Sequence, residues 1–366
     1  MPSDAPISFA RGAPSLDIVA VDELRAAADR AFGADAAGTF AYGTAVGYRP
    51  LREWIAAKHD VAPENVMVTN GSMQADAFLF EELVPEGAGV VVERPSYDRT
   101  LLSLRQRGAD LTAIELESDG IDVEALAAAL RGGRAPRLAH VIPNFQNPAG
   151  HTLSLAKRRR LLELAREHEF VIFEDDPYVD IRFSGEPLPR MLDLDGGADS
   201  TSVVYACSFS KTVCPGIRVG YLVGPAEVIA RIVKRATSTY ISPSMVSQSI
   251  VNEFCRSGAI DRSIATVREA LRERADALAE ALRRELPDAR FVAPDGGYFL
   301  WVDLPEAIDV DELHVAAWER GVQFVKGSDF MLDGGEHSLR LAYSGVTVEQ
   351  IEEGVRRLAA ATGALV

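Results

Sequence analysis

The chain has 366 residues and a formal net charge of −16, with 54 acidic against 38 basic side chains. This balance argues against nucleic acid or an anionic membrane surface as a partner. The three cysteines and six histidines are scattered, so we predict neither a disulfide framework nor a metal site. No targeting segment opens the chain and no apolar run reaches transmembrane length, so we expect a soluble cytoplasmic protein.

From about residue 45 to 255, short apolar runs alternate with segments of helical period. This alternation is typical of a mostly parallel sheet covered by helices on both faces, so we predict a large α/β domain over residues 45–255. The sixth run follows the fifth closely, which favours an antiparallel strand. The predicted strands are Val66–Thr69, Gly89–Val92, Leu138–Ile142, Phe170–Phe173, Val203–Ala206 and Val219–Val223.

The pattern changes after residue 255. A long charged amphipathic helix is predicted over Asp261–Glu285, followed by short strands and by helices over Val310–Arg320 and Val348–Ala360. This mixture is typical of a smaller α+β domain. The first residues are too few to form a domain, so we predict that residues 1–44 and 256–366 build the small domain together.

Unusual residues follow the predicted parallel strands, at the sheet edge where ligands of open α/β sheets bind. After the first strand, Gly71-Ser72-Met73 opens a helix whose free N–H groups, with the Ser72 hydroxyl, suit an anion. After the second strand, Tyr97 presents a ring on which a flat heterocycle can stack. The structural alternatives are a plain helix cap at Ser72 and a tyrosine that only plugs the sheet end.

The third and fourth strands are also followed by polar side chains. Asn147 begins an Asn-Pro-x-Gly turn and can donate to a phenolate oxygen, the alternative being a plain turn. Asp175 and Tyr178 are three residues apart across a proline turn, so both can face one ligand. A carboxylate held against a pyridine nitrogen keeps that nitrogen protonated and makes the ring an electron sink. The alternative is a solvated acidic turn.

Lys211 lies just beyond the fifth strand, near Ser208, Ser210 and Arg218. A partly desolvated lysine is the better nucleophile because its pKa falls, and its amine condenses with an aldehyde to an imine. The neighbouring hydroxyls and guanidinium suit a phosphate. An aldehyde that carries a phosphate is pyridoxal 5′-phosphate (PLP). The alternative is a solvated loop lysine beside helix-cap serines.

Together these motifs resemble those of the class I/II aminotransferases, and most of all the kynurenine/2-aminoadipate aminotransferase-like subgroup, which also occurs fused to MocR-type regulators. The resemblance runs from about Ile7 to the C-terminus. The motifs that carry it are Tyr42 with Gly47 and Leu51-Arg52, Gly71-Ser72-x-Gln74, Tyr97, Asn147-Pro148-x-Gly150, Asp175-x-x-Tyr178, Ser208-x-Ser210-Lys211, Pro215-Gly216-x-Arg218-x-Gly220-Tyr221, Gly296-Gly297-x-Phe299-Leu300-Trp301 and Leu339-Arg340-Leu341.

The resemblance implies the α/β PLP-dependent transferase fold of type I, with a mostly parallel seven-stranded sheet, and a homodimer with active sites at the subunit interface. It implies that Lys211 carries the cofactor as an aldimine and moves a proton, and that Arg340 binds the substrate α-carboxylate. The other implied roles are Asp175 at the pyridine nitrogen, Tyr97 stacked on the ring, Asn147 and Tyr178 at the ring hydroxyl, Gly71, Ser72, Met73, Ser208, Ser210 and Arg218 around the phosphate, Tyr42 at the neighbouring subunit's phosphate, and Gly12 and Asn147 on the substrate side.

The chain departs from the subgroup's pattern in several places. Met73 stands where a glutamine is common, which leaves only its backbone N–H for the phosphate. The helix that precedes the Ser8-Phe9-Ala10 segment in many members is missing, and Lys326-Gly327 replaces a Pro-Gly pair. Arg11 stands where a small residue is usual, so it is a candidate partner for a distal carboxylate, the alternative being a surface arginine.

We therefore expect an aminotransferase that moves the α-amino group of an L-amino acid to a 2-oxo acid. One alternative is a PLP enzyme of the same fold that catalyses elimination, replacement, decarboxylation or O₂-dependent oxidation, because related imines feed all of these reactions. Another is a binding module, the effector domain of a regulator. The acidic charge and the lack of a basic helix-turn-helix segment before Ile7 argue against that module.

Overall fold

The strands form one large sheet and two small ones in the computed structural model, which describes residues 6–133 and 135–365. The strands are β1 Ile7–Ser8, β2 Val66–Thr69, β3 Gly89–Arg94, β4 Asp110–Glu117, β5 Gly120–Ile121, β6 Leu138–Val141, β7 Val171–Asp175, β8 Val203–Ser208, β9 Gly220–Val223, β10 Phe299–Asp303, β11 Val322–Gln323, β12 Val325–Lys326 and β13 Ser338–Ala342. The helices are α1 Val21–Ala34, α2 Ala36–Phe40, α3 Arg49–His59, α4 Ser72–Leu83, α5 Asp98–Gln106, α6 Val123–Gly132, α7 Leu155–His168, α8 Met191–Leu194, α9 Ala226–Tyr240, α10 Met245–Arg256, α11 Ala259–Glu285, α12 Val310–Glu319 and α13 Val348–Thr362.

The large sheet has the strand order β2-β9-β8-β7-β6-β3-β4-β5. Strands β8, β7, β6, β3 and β4 are parallel, whereas β9 runs antiparallel between β2 and β8. The predicted α/β class and the antiparallel sixth run are thereby confirmed. The sheet has eight strands rather than seven, because the two residues of β5 pair antiparallel with β4 and extend its edge.

Strand β4 was not among the predicted strands. It pairs with β3 near the edge of the sheet, and only Ile114 among its eight side chains is fully buried. Polar and apolar residues therefore alternate along it, whereas the predicted strands are continuous apolar runs. Such runs mark strands that are covered on both faces.

Helices cover both faces of the large sheet. On one face, α3, α6, α7 and α10 bury residues such as Leu51, Leu161 and Val251 against the strands. On the other face, α4 and α9 do so with Leu79 and Ile232. This two-sided burial explains why the parallel strands are apolar along their whole length and why polar residues come only after they end.

The C-terminal third has its own core. Strands β10, β13 and β12 form an antiparallel sheet, and α11, α12 and α13 pack with it. Apolar residues recur every three or four positions on α11, as at Val267, Leu271 and Leu278, which places them on the buried face. Strand β1 pairs parallel with β11 and brings the N-terminal segment to this region. No helix within the described ranges has the length and apolarity needed to cross a membrane.

Candidate active site

A pocket lies at the carboxyl ends of the parallel strands, the edge at which the sequence predicts a ligand. All of its lining residues except Ile142 and Pro177 are among the predicted site residues. The lining residues are Ser72, Met73, Tyr97, Ile142, Asn147, Asp175, Pro177, Tyr178, Ser208, Ser210, Lys211 and Arg218.

One end of the pocket is a cluster of hydrogen-bond donors at the N-terminus of α4. The Arg218 Nη1 donates to Ser210 Oγ at 3.3 Å, and the Ser210 backbone N–H donates to Ser208 Oγ at 3.2 Å. Gly71, just before Ser72, has a φ of 86°, and a Cβ there would lie 2.3 Å from the Arg218 Nη2. Only glycine therefore lets the guanidinium approach the helix N-terminus, and the cluster suits an anion.

Lys211 brings a buried amine into the pocket. Its Nζ donates to the Gly12 carbonyl oxygen at 2.7 Å and lies 5.2 Å from the centre of the Tyr298 ring. Burial, followed by the nearby positive charge of Arg340, lowers the pKa of Lys211 to about 8. A larger fraction of this amine is therefore unprotonated near neutral pH than of an ordinary lysine, and the unprotonated form is the one that attacks a carbonyl.

Asp175 ends β7 at the opposite side of the pocket. Its Oδ1 is buried and has no hydrogen-bond partner among the described residues, while its Oδ2 lies 3.5 Å from His140 Nε2. A buried carboxylate oxygen without a partner is uncommon in a folded protein. A charged N–H donor in the pocket, such as a protonated pyridine nitrogen, would satisfy it.

Arg340 reaches the pocket from β13. Its Nη1 donates to Asn147 Oδ1 at 2.8 Å and its Nη2 to the Ala10 carbonyl oxygen at 2.6 Å, and the guanidinium lies 4.3 Å from the centre of the Phe299 ring. Its hydrogen-bond partners are therefore the pocket residue Asn147 and the backbone of the segment just before Gly12. Burial lowers the pKa of Arg340 to about 10, so the side chain is still charged at neutral pH.

Two aromatic residues enclose the pocket between these groups. Tyr178 is 4% exposed, and burial raises the pKa of its hydroxyl well above the usual value, so the group remains a neutral donor. Burial, with Asp98 next in effect, also raises the pKa of Tyr97. Both residues line the same pocket as Lys211 and Asp175.

The remaining predicted residues lie in different surroundings. Gly12 contacts Lys211, and a Cβ at Gly12 would lie 2.3 Å from Phe299 Cζ. Arg11 is exposed, and its side chain makes no hydrogen bond or ion pair within residues 6–133 and 135–365. Tyr42 is 89% exposed and does not line the pocket of its own chain.

The sequence analysis did not identify Glu93 as a site residue, although its side chain joins two of the pocket loops. It is 2% exposed, and its Oε2 accepts a hydrogen bond from Gln146 Nε2 at 3.0 Å. The same Gln146 amide donates to the Pro95 carbonyl oxygen at 2.9 Å. The turn before Tyr97 is thus joined to the loop that carries Asn147. The signal in the sequence is an acid at the end of an apolar strand.

We expect Glu93→Gln to change how thermal stability depends on pH. Burial raises the pKa of Glu93 from 4.5 to about 8 in the folded protein. As the pH rises through this window, the unfolded chain gives up the proton first, so wild-type stability falls, by on the order of a few kcal/mol in all. Glutamine keeps the acceptor for Gln146 and cannot ionise, so the loss disappears.

Thermal midpoints recorded between about pH 5 and about pH 9 check this, because the midpoint of the variant should increase relative to that of wild type as the pH rises. Glu86→Gln, at an exposed glutamate, is the matched control and should follow wild type. A midpoint difference for Glu93→Gln that stays constant over the whole range would contradict the raised pKa.

The chain belongs to the family "aminotransferase class I and II", whose model matches residues 6–358. It is 36% identical to the 2-aminoadipate transaminase of Thermus thermophilus, over 96% of this chain and 89% of that protein. It is 32% identical to aromatic-amino-acid aminotransferase 1 of Thermococcus litoralis, over 96% of this chain and 87% of that protein. The crystal structure of an alpha-aminoadipate aminotransferase from Thermus thermophilus, complexed with N-(5′-phosphopyridoxyl)-L-leucine, superposes with a TM-score of 0.94 at 35% identity, covering 98% of this chain and 92% of that one.

The protein is therefore a PLP-dependent aminotransferase of fold type I, as the sequence predicts. The pocket fits this cofactor in three respects. The Asp175 Oδ1, which has no partner in the described part of the chain, suits the ring nitrogen, the Lys211 amine suits the aldehyde, and the donors around Ser72 and Arg218 suit the phosphate. When bound, PLP supplies an electron sink that stabilises the carbanion at the substrate α-carbon.

Proposed function

We propose that Lys211 is the acid–base residue of the transamination and the residue to which the cofactor is attached. Its freed amine takes the proton from the substrate α-carbon and returns it on the cofactor side. The pKa of about 8 supports this role, because a base tuned near the working pH transfers protons in both directions. The observation that carries the proposal is the position of this amine in the same pocket as the unpartnered Asp175 Oδ1.

The other pocket residues bind and orient. Arg340 is proposed to hold the substrate α-carboxylate, a role that its charge and its planar fork of donors support. Asp175 is proposed to hold the ring nitrogen, with Tyr97 on the ring face and Asn147 and Tyr178 at the ring hydroxyl. Gly71, Ser72, Met73, Ser208, Ser210 and Arg218 are proposed to hold the phosphate, as the donor cluster at the start of α4 supports.

We propose that the amino donor is an acidic L-amino acid such as 2-aminoadipate and that the acceptor is a 2-oxo acid. Two observations support this substrate class. The relatives and the superposed structure include enzymes named for 2-aminoadipate. The Arg11 guanidinium has no partner among the described residues, and Arg11 lies between Ala10 and Gly12, whose carbonyl oxygens accept from Arg340 and Lys211. A distal carboxylate of the substrate would give Arg11 a partner.

A screen of amino donors, followed by the absorbance of the cofactor, tests this function. We expect 2-aminoadipate and glutamate to convert the cofactor to its amine form faster than leucine does.

Arg11→Ala should slow conversion by the acidic donors by about 10- to 100-fold, because a charged hydrogen bond is lost, and should leave the rate with leucine unchanged. Arg25→Ala, at an exposed arginine of α1, is the control. If no donor converts the cofactor, the proposed transamination is wrong. If Arg11→Ala converts acidic donors at the wild-type rate, only the proposed role of Arg11 is wrong.

We further propose a homodimer in which Tyr42 reaches the phosphate site of the partner subunit. The exposure of Phe40 at 60%, Tyr42 at 89% and Met73 at 49% supports a covered surface, since large apolar side chains are usually buried and Met73 lines the pocket. Sedimentation of the holoenzyme at micromolar concentration checks the stoichiometry, and a monomer would contradict it.

Compartment and domain division are further proposals. A cytoplasmic location is supported by the free thiols of Cys207, Cys214 and Cys255, which suit a reducing compartment. The division into residues 45–255 and residues 1–44 with 256–366 stays a prediction. The pairing of β1 with β11 supports it for the first strand. Helix α1 packs instead on α10, where Ala27 shares a core with Val251.

A further inference from the structure

Asp76 is a buried acid beneath the pocket, on helix α4. It is 7% exposed, and its Oδ1 has no hydrogen-bond partner among the described residues. Phe80, four residues later, projects from the same face of the helix. The Phe80 ring contacts the His140 ring, with centroids 6.4 Å apart, and the Phe173 ring at 5.8 Å. This face of α4 therefore covers strands β6 and β7 where His140 and Asp175 emerge.

His140 and Asp175 project toward the same side of the sheet. His140 on β6 is the register partner of Phe173 on β7, and Asp175 lies two residues beyond Phe173, on the same face. His140 is 0% exposed, and its Nε2 lies 3.5 Å from Asp175 Oδ2, while neither ring nitrogen has a hydrogen-bond partner among the described residues. His140, Asp175 and Asp76 thus form one buried group of polar side chains behind the pocket.

The charges around this group are mostly negative. Burial and the charge of Asp175 raise the pKa of Asp76 well above its ordinary value. Asp76 and Asp175 in turn contribute to the raised pKa of Tyr97, and Asp175 contributes to that of Glu93. The charge of Lys211 faces Asp175 across the pocket, whereas no lysine or arginine of the described chain forms an ion pair with Asp76. Two buried carboxylates without a cation between them do not both ionise.

We propose that Asp76 is a positioning residue, kept as a neutral acid so that Asp175 is the single negative charge facing the ring nitrogen of the bound cofactor. His140 completes the arrangement by presenting Nε2–H to Asp175 Oδ2, which leaves Oδ1 for the ring nitrogen. One carboxylate then matches one protonated nitrogen. The inference rests on the role proposed above for Asp175.

The two carboxyl groups are coupled, and this coupling can be measured in protein labelled with ¹³C at the aspartate side chains. The Asp76 carboxyl should titrate well above the ordinary range of an aspartate in the apoenzyme, and Asp76→Asn assigns its signal. Asp175→Asn removes the like charge and should lower the pKa of Asp76 by about one unit or more. Loading with PLP should also lower it, because the positive ring nitrogen offsets Asp175. Asp110→Asn, at an exposed aspartate, should leave the signal in place.

The signal of the neighbouring acid Asp176 must be distinguished from that of Asp76 in this titration, because burial raises the pKa of Asp176 to about 7. Asp176→Asn assigns the Asp176 signal, so that it is not mistaken for that of Asp76. The absorbance titration of the Lys211–cofactor chromophore gives an independent readout, and Asp76→Asn should leave its pKa unchanged because one neutral group replaces another.

Three outcomes decide the inference. An Asp76 carboxyl that ionises below about pH 5 in wild type, or that titrates identically in Asp175→Asn, would overturn it. A chromophore pKa that falls by about one unit in Asp76→Asn would also overturn it, since Asp76 would then have been charged. If Asp175→Asn shifts Asp76 but loading with PLP does not, the coupling stands and the proposed role of Asp175 at the ring nitrogen fails. The wild-type measurements alone suffice if Asp76→Asn does not fold.

Discussion

Lys211→Ala is expected to abolish transamination, with the rate of cofactor conversion by an amino donor falling by about 10⁴-fold or more. The substitution removes the amine that we propose attacks the cofactor aldehyde and moves the α-proton, and the described pocket lining contains no other lysine. Lys211→Arg is expected to be equally inactive, although it keeps the positive charge, because a guanidinium stays protonated and does not form the bond.

Single-turnover absorbance measurements with a large excess of 2-aminoadipate check this expectation. Lys234→Ala, at an exposed lysine of α9, is the control and should retain full activity. Residual conversion by Lys211→Ala within about tenfold of wild type would show that another group transfers the proton, and the assignment of the base would then be wrong.

Asp175→Asn is expected to have the second largest effect, a loss of about 10²- to 10⁴-fold in the rate of conversion. The amide has nearly the shape of the carboxylate but carries no charge, so the ring nitrogen would lose the group that we propose keeps it protonated. The electron sink at the substrate α-carbon is weakened accordingly. Because Asp175 Oδ1 has no partner within the described residues, the substitution should cost little in folding.

The rate of conversion and the absorbance spectrum of the holoenzyme are the measurements for this variant. Asp98→Asn is the control, since Asp98 is a carboxylate beside Tyr97 that does not line the pocket. Wild-type rates and an unchanged spectrum for Asp175→Asn would show that Asp175 does not contact the cofactor.

The positions of the main site residues could be predicted because parallel strands bring their carboxyl ends to one edge. Asp175 and Lys211 each follow a continuous apolar run, and such runs are visible in the sequence. Arg340 was also identified, through its family motif. Its hydrogen bond to Asn147 could not be foreseen, since the two residues lie 193 positions apart and meet only when β13 packs against the pocket loops.

The site residues that could not be predicted from the sequence depend on contacts between separate elements. Glu93 and Gln146 meet across 53 positions, from a strand and a loop whose spacing carries no shared pattern. The group formed by Asp76, His140 and Asp175 combines one face of a helix with two strands. Periodicity predicts each of these elements but not that their side chains lie together. Strand β4 was missed for a local reason, because its alternating polar residues lack the apolar run of its neighbours.

The most direct test of the central claim is to reduce the holoenzyme with borohydride and to map its peptides by mass spectrometry. We expect the peptide containing Lys211 to gain the mass of a phosphopyridoxyl group and peptides with other lysines, such as Lys58 or Lys157, to remain unmodified. Cofactor-replete protein in which the Lys211 peptide remains unmodified would show that the cofactor is not attached at Lys211.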